Sequence, residues 1–149
     1  MSDLFTIGYQ ASTLARVIAS LRAAGVRRLI DVRAVAASRK PGFSKRVLAA
    51  SLEAAGIAYH HLQPLGTPKA GRQAVRSGHP EVMRRIYAAH MRADAPQAAL
   101  AEARALAAEG HACLLCFEHD PAECHRRLVA EMIVTETGQR VIDLMPAEG

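Results

Sequence analysis

The feature of this sequence that most constrains its fold is a local pattern that occurs three times. In each case a stretch with apolar residues at helical spacing ends at a glycine and is followed by a short apolar stretch; the glycines are Gly25, Gly56 and Gly110. Glycine is typical of helix C-termini because it enters the left-handed conformation without a steric penalty. Three such helix-glycine-strand junctions predict right-handed βαβ crossovers, and therefore a mostly parallel sheet with helices on both faces.

Followed along the chain, the pattern predicts about five strands with helices between them. We expect strands over Leu4–Gly8, Val26–Val32, Ile57–His61, His111–Phe117 and Val141–Leu144. We expect helices capped by Ser12 and by Ser44, and further helices over Glu81–Ala93, Pro96–Glu109 and about Pro121–Thr137. The stretch from Gln63 to His79 lacks periodicity, which predicts a long loop that can act as a lid. The expected architecture is one three-layer α/β domain over residues 1–149.

Composition narrows the class of partner. The 149 residues carry 19 lysines and arginines against 14 aspartates and glutamates, a net charge of +5. This balance favours an anionic small molecule or nucleic acid as partner, while the few aromatic residues argue against a stacking surface for single strands. No apolar run is long enough to span a membrane and the first residues do not resemble a secretory signal, so we expect a cytoplasmic protein with no membrane partner. In that compartment the three cysteines are expected to be thiols or metal ligands.

Polar residues suited to anion binding follow the predicted strands. The carboxyl ends of parallel strands converge at one edge of a sheet, where ligands commonly bind. The predicted ligand-binding residues at this edge and in the loop beside it are Tyr9, Arg33, Arg39, Lys40, His61 and Lys69. The guanidinium fork of arginine matches the oxygens of phosphate or carboxylate. Arg33 also stands two residues after Asp31, so an ion pair between them is an open alternative.

The segment from Cys116 to Arg126 is the richest in reactive side chains. Asp120 and Pro121 are typical of a helix start, and such a helix would bring Cys124 and His125 to the sheet edge where Cys116 ends. Three interpretations are open for this segment. Cys124 can be a nucleophile activated by the helix N-terminus and Arg126, with His125 or His61 as base.

The second interpretation is a metal site formed by Cys116, Cys124 and His125 and completed by Glu118 or water, although the usual short C-x-x-C pair is missing. The third treats Cys113 and Cys116 as small buried hydrophobes on an apolar strand, and His125 as a hydrogen-bonded cap partner. We predict Glu118, Cys124 and His125 as catalytic residues, Arg126 as a further anion ligand, and no metal ligands.

The sequence resembles the DUF488 family, a domain family of unknown function. The resemblance rests on ordered motifs along nearly the whole chain: Thr6–Tyr9, Asp31–Arg33, Ser38–Lys45, Gly56–Tyr59 with His61, Leu65–Lys69 with Arg72, Cys116–Glu118 and Cys124–Arg126. It implies an α/β fold, and its signature residues coincide with the predicted strand ends. Gln10 and Ala11 stand where a Glu-Gly pair is common in the family. If that glutamate is a general acid or base in relatives, Gln10 cannot do the same work here.

The leading hypothesis is a small cytosolic enzyme that acts on a phosphorylated, nucleotide or nucleic-acid substrate. The sequence contains neither G-x-G-x-x-G after the first strand nor a P-loop, and no C-x5-R spacing follows Cys116 or Cys124, so no particular cofactor is predicted. One alternative is a nucleic-acid or nucleotide binding module without catalysis. The other is a zinc-stabilised scaffold, which predicts stoichiometric metal and unfolding by chelators.

Overall fold

A computed structural model describes residues 2–147, except for the side chain of Glu123. Five strands are found in this range: β1 (Leu4–Gly8), β2 (Arg28–Asp31), β3 (Ala58–His61), β4 (Ala112–Cys116) and β5 (Val141–Leu144). The α-helices are α1 (Leu14–Ala23), α2 (Lys45–Ala54), α3 (Lys69–Arg76), α4 (Pro80–His90), α5 (Asp94–Ala108) and α6 (His125–Thr137). Short 3-10 turns occupy Gln63–Leu65 and Pro121–Glu123.

The strands form one parallel sheet in the order β3-β2-β4-β1-β5. Helices α1 and α2 cover one face through apolar residues such as Leu21 and Leu52. Helices α4, α5 and α6 cover the other face through residues such as Leu100 and Ile133. The predicted three-layer α/β fold with a parallel sheet is therefore confirmed.

The order of the strands places the carboxyl ends of β1, β4 and β2 side by side. The chain leaves β1 and β2 towards helices on one face, whereas it leaves β4, which lies between them, towards α6 on the opposite face. Where neighbouring strands send their connections to opposite faces, a crevice opens at their carboxyl ends. The residues that follow β1, β2 and β4 border this crevice.

The helix-glycine-strand junctions form as predicted. Gly25, Gly56 and Gly110 all adopt positive φ angles, of 74°, 78° and 88°, directly after α1, α2 and α5. The helix starts differ in detail. Thr13, not Ser12, caps α1 by accepting a hydrogen bond from the backbone N–H of Arg16, because Ser12 donates to the carbonyl of Ala147 instead.

The prediction of a long loop from Gln63 to His79 is wrong, because helix α3 lies within it. Gly71, in the first turn of α3, is buried against Thr67, where a β-carbon would lie 2.5 Å from the Thr67 methyl group. Glycine lowers helix propensity, but here its missing side chain lets α3 pack closely. Helix α6 also begins later than predicted, at His125, after the 3-10 turn that starts at Pro121.

The helices within residues 2–147 are too short or too polar to cross a membrane.

Candidate functional site

The crevice at the carboxyl ends of the strands holds a cavity of about 530 Å³. Its floor and walls come from the ends of three neighbouring strands and include Tyr9 and Gln10 after β1, Arg33 after β2, and Cys116 and Glu118 at the end of β4. His125, the first residue of α6, also lines it. The volume lies within the range usual for small-molecule sites.

Arg33 is the centre of a buried polar network on one wall of the cavity. Its Nε and Nη2 donate to the carboxylate of Asp31 at 2.7 to 3.1 Å, and its Nη1 donates to the hydroxyl of Tyr9 at 2.9 Å and to the carbonyl of Phe43 at 2.7 Å. Tyr59 donates to the same carboxylate at 2.5 Å. Burial lowers the pKa of Arg33, but Asp31 and Tyr9 outweigh it and raise that pKa above its usual value. The ion-pair alternative for Arg33 is thus realised.

The rim of the cavity is basic. Arg39, from the loop after β2, lines the cavity, as do Arg72 and Arg76 of α3, and all three are exposed or half-buried. Arg72 is held by a hydrogen bond of 2.7 Å from its Nη1 to the carbonyl of Thr67. Among residues 2–147, no carboxylate forms an ion pair with any of these three arginines. Within the described part of the chain, the rim arginines therefore present positive charge without a carboxylate in an ion pair.

A cluster formed by Cys116, Cys124 and His125 borders the cavity at the end of β4. Nδ1 of His125 is 3.5 Å from Sγ of Cys116 and 3.9 Å from Sγ of Cys124. On its other edge, Nε2 of His125 is 2.7 Å from the carbonyl oxygen of Val32. Sγ of Cys116 is 3.3 Å from Oε2 of Glu118, so the carboxylate borders the cluster.

The cysteines of this cluster are buried. Burial raises the pKa of the Cys124 thiol well above its ordinary value, and Cys116 raises it further, while His125 opposes the shift. Burial lowers the pKa of His125, but Cys124, the Val32 carbonyl and Glu118 together raise it above its usual value. Cys124 is the N-cap of α6, and its sulfur accepts from the N–H of Arg126. Burial and the neighbouring Cys116 therefore act against a thiolate at Cys124.

Arg126 fixes the segment that carries Glu118. Its side chain is fully buried, and it donates through Nη1 to the carbonyl of Glu118, through Nη2 to the carbonyl of His119 at 3.2 Å, and through Nε to Thr6 at 3.3 Å. Gly8 of β1 lies against the same carbonyl, since a β-carbon there would be 1.8 Å from the Glu118 oxygen. Arg126 thus positions the loop after β4.

The cavity brings together about half of the predicted site residues. Tyr9, Arg33, Arg39, Glu118 and His125 line it. Cys124 lies behind His125 and borders a separate small pocket, and Arg126 is enclosed by the protein. Lys40, His61 and Lys69 are not among the lining residues; His61 instead holds the carbonyl of Arg33 through Nε2 at 2.8 Å.

Sequence reasoning missed several lining residues. Arg76 follows Arg72 by four residues, a spacing that places both on one helix face, but this signal requires α3 to be recognised first. Phe117 and Val35 are also at the opening, where 42% and 54% of their surfaces are exposed. Gln10, where the family often has glutamate, accepts from the N–H of His119 at 3.1 Å and so holds the loop after β4.

A family model described as "Domain of unknown function DUF488" matches residues 13–133. Comparison with curated proteins and with solved structures yields no match.

Proposed function

Because this chain belongs to the DUF488 family, which has no assigned activity, we propose its function from the cavity itself: a small cytosolic enzyme that acts on a phosphorylated substrate of the nucleotide class. The observation that carries the proposal is the pairing of unneutralised arginines with exposed apolar side chains around one cavity. Nucleotides present the matching combination, an anionic group joined to a flat, largely apolar base.

The phosphate end of the substrate is assigned to Arg39, Arg72 and Arg76. Arginines four residues apart on a helix repel each other, so Arg72 and Arg76 weaken α3 unless an anion lies between them. Guanidinium groups bind phosphate in a two-pronged manner, which gives direction as well as charge. Arg33 is excluded from this role because Asp31 already neutralises it.

The other end of the substrate is assigned to Phe117 and Val35. Both are exposed at the opening of the cavity, although Phe117 is also held edge-on to Tyr9 with ring centres 5.4 Å apart. An exposed aromatic ring beside basic residues suits a nucleobase. A cavity of about 530 Å³ accommodates one nucleotide, which favours a small molecule over an extended nucleic acid.

The reacting groups are assigned to Glu118 and His125. Glu118 is half-buried at the end of β4 and borders the cavity, so it can accept or deliver a proton at a bound substrate. His125 lies at the floor of the same cavity. Cys124 contacts the ring of His125 without lining the cavity itself. The three cysteines are free and buried, as suits a reducing compartment.

Replacing either rim arginine of α3 is expected to weaken anion binding. We expect Arg72→Gln and Arg76→Gln each to raise the dissociation constants of pyrophosphate and of a nucleoside diphosphate by roughly 10-fold, because each removes a charge-assisted hydrogen bond. Isothermal titration calorimetry of the full chain measures this effect.

The matched control is Arg22→Gln, which removes the same charge from an exposed site in the last turn of α1, at the opposite edge of the sheet. If Arg22→Gln weakens binding as much as the rim variants do, the anions are attracted by the net charge of the protein and the proposed site is wrong. Strong binding of oligonucleotides that falls steeply with salt, without nucleotide binding, supports the nucleic-acid binding module instead.

Substitution of Glu118 separates an enzyme from a binding module. We expect the wild-type chain to turn over at least one member of a nucleotide panel followed by phosphorus NMR, and Glu118→Gln to slow that turnover roughly 100-fold, since general acid-base groups contribute at least this much. The variant should still bind the nucleotide. Nucleotide binding with no turnover of any panel member would leave only the binding function.

A further inference from the structure

Three side chains, two of which line the cavity, are arranged as metal ligands. Sγ of Cys116, Sγ of Cys124 and Nδ1 of His125 all lie within 4.8 Å of one another. We propose that they bind one soft divalent cation, with Zn²⁺ as the best match, and that the fourth coordination position opens towards Glu118 and the cavity. No metal ligands are predicted from the sequence, although a site formed by these three residues is one of the interpretations left open there. Binding of this cation makes His125 a metal ligand and so replaces the reacting role that the proposed function gives this residue, whereas nucleotide binding at the rim does not depend on it.

The distances suit tetrahedral coordination. Zinc bonds of about 2.3 Å to sulfur and about 2.0 Å to nitrogen, at a tetrahedral angle, place a sulfur and a nitrogen ligand roughly 3.6 Å apart. The two sulfur-to-Nδ1 distances are 3.5 and 3.9 Å. By these two distances the cation fits between Nδ1 and each sulfur, where it replaces the thiol protons.

The ring of His125 is oriented for metal binding. Its Nε2 lies 2.7 Å from the carbonyl oxygen of Val32, and a carbonyl only accepts hydrogen bonds, so Nε2 carries the proton. In the neutral ring the lone pair is then on Nδ1, the atom that faces both sulfurs. A histidine ligand whose second nitrogen donates to a backbone carbonyl is the usual arrangement around protein-bound zinc.

The backbone fixes the sulfurs from two directions. Cys116 ends β4, and Cys124 occupies the N-cap of α6, so both sulfurs are held by regular structure. Sγ of Cys124 accepts from the N–H of Arg126 at 3.5 Å, a contact that stabilises a thiolate once the proton is displaced. The ring of Tyr87, with its centre 5.4 Å from that of His125, covers the cluster on the side of α4.

The open position of the site faces the cavity. Cys116 and His125 line that cavity, and Oε2 of Glu118 is 3.3 Å from Sγ of Cys116. Three protein ligands with one position left for carboxylate, water or substrate is the arrangement of catalytic rather than structural zinc sites. Cys116 and Cys124 also belong to the apolar core on the face covered by α4, α5 and α6.

Titration of the full-length protein with Co²⁺ tests the proposal. We expect one equivalent to produce thiolate-to-cobalt charge-transfer absorption and the visible bands of a tetrahedral site, and one equivalent of Zn²⁺ to abolish them. Cys116→Ala and Cys124→Ala should each weaken binding by at least about 100-fold, because loss even of an outer-shell partner costs 10- to 100-fold. The Co²⁺ titration of the wild-type protein tests the site even if neither variant folds.

Cys113→Ala is the matched control, because Cys113 lies on β4 but packs into the apolar core on the other face of the sheet. It should bind Co²⁺ as the wild type does. Absence of the charge-transfer absorption, or equal binding by all three variants, would overturn the proposal. Unfolding of the zinc protein by a chelator would overturn the open-site assignment in favour of a structural metal.

Discussion

Asp31→Asn is expected to lower the free energy of unfolding by about 3–5 kcal/mol, because it leaves a buried guanidinium without its counter-charge. Asp31 is fully buried and accepts hydrogen bonds from the backbone N–H of Arg33, from its side chain and from Tyr59. Asparagine keeps the shape but removes the charge and offers only one oxygen. Urea unfolding measures the loss as a lower midpoint at constant m-value.

Two further variants make this result specific. Asp3→Asn removes a carboxylate of the same type that pairs with the exposed Arg140, so its midpoint should change little. Asp31→Asn combined with Arg33→Met removes both buried charges and should recover part of the stability. A single Asp31→Asn variant as stable as Asp3→Asn would contradict the buried network.

This network also bears on function. Arg33 holds the carbonyl of Phe43 and the hydroxyl of Tyr9, and Phe43 stacks on Tyr9 with ring centres 4.1 Å apart. The loop between β2 and Phe43 carries Arg39 to the rim. Loss of the ion pair therefore loosens one wall of the cavity, and Asp31→Asn should weaken pyrophosphate binding although Asp31 does not line the cavity.

The parallel sheet with helices on both faces could be predicted from sequence because its signals are local, whereas the order of the strands could not. A glycine with positive φ after a helix depends on the conformation of one residue, and each of the junctions at Gly25, Gly56 and Gly110 has one. The burial of both faces explains why the β4 sequence is continuously apolar. These features do not require knowledge of distant contacts.

Helix α3 could not be predicted because its stability comes from tertiary packing. It is only eight residues long, and Gly71 interrupts its pattern. The gap at that glycine is filled by Thr67, Met83 and Ile86, two of them from α4. Short isolated helices are marginal in water, so only the partner helix makes this segment helical. The rim arginines Arg72 and Arg76 were correspondingly hard to assign.

The expectation that the carboxyl ends of parallel strands converge at one edge of the sheet identified the right elements, but it did not give the directions of their side chains. It placed Arg33, Glu118 and His125 at one edge, and all three line the cavity. It did not show that Arg126 turns inward, because that depends on where α6 begins. The helix starts at His125, and its first two residues are both buried. Arg126 consequently meets backbone carbonyls instead of a ligand.

Gly8→Ala is expected to cost about 3 kcal/mol of stability, the upper end of the range for overpacking. The added β-carbon would lie 1.8 Å from the carbonyl oxygen of Glu118 and 2.8 Å from Nη1 of Arg126, so the loop after β4 must move. That movement breaks the hydrogen bond from Arg126 and displaces Glu118 from the cavity. Chemical unfolding measures the first effect, and nucleotide turnover measures the second.

Gly25→Ala is the control for a glycine substitution at this sheet. A β-carbon at Gly25 meets nothing within 4 Å, and the cost is limited to the left-handed conformation at φ 74°, roughly 1 kcal/mol. The difference between the two variants isolates the close approach of β1 to the loop that carries Glu118. Equal losses for Gly8→Ala and Gly25→Ala would show that this loop yields easily, and Arg126 would then not be what positions Glu118.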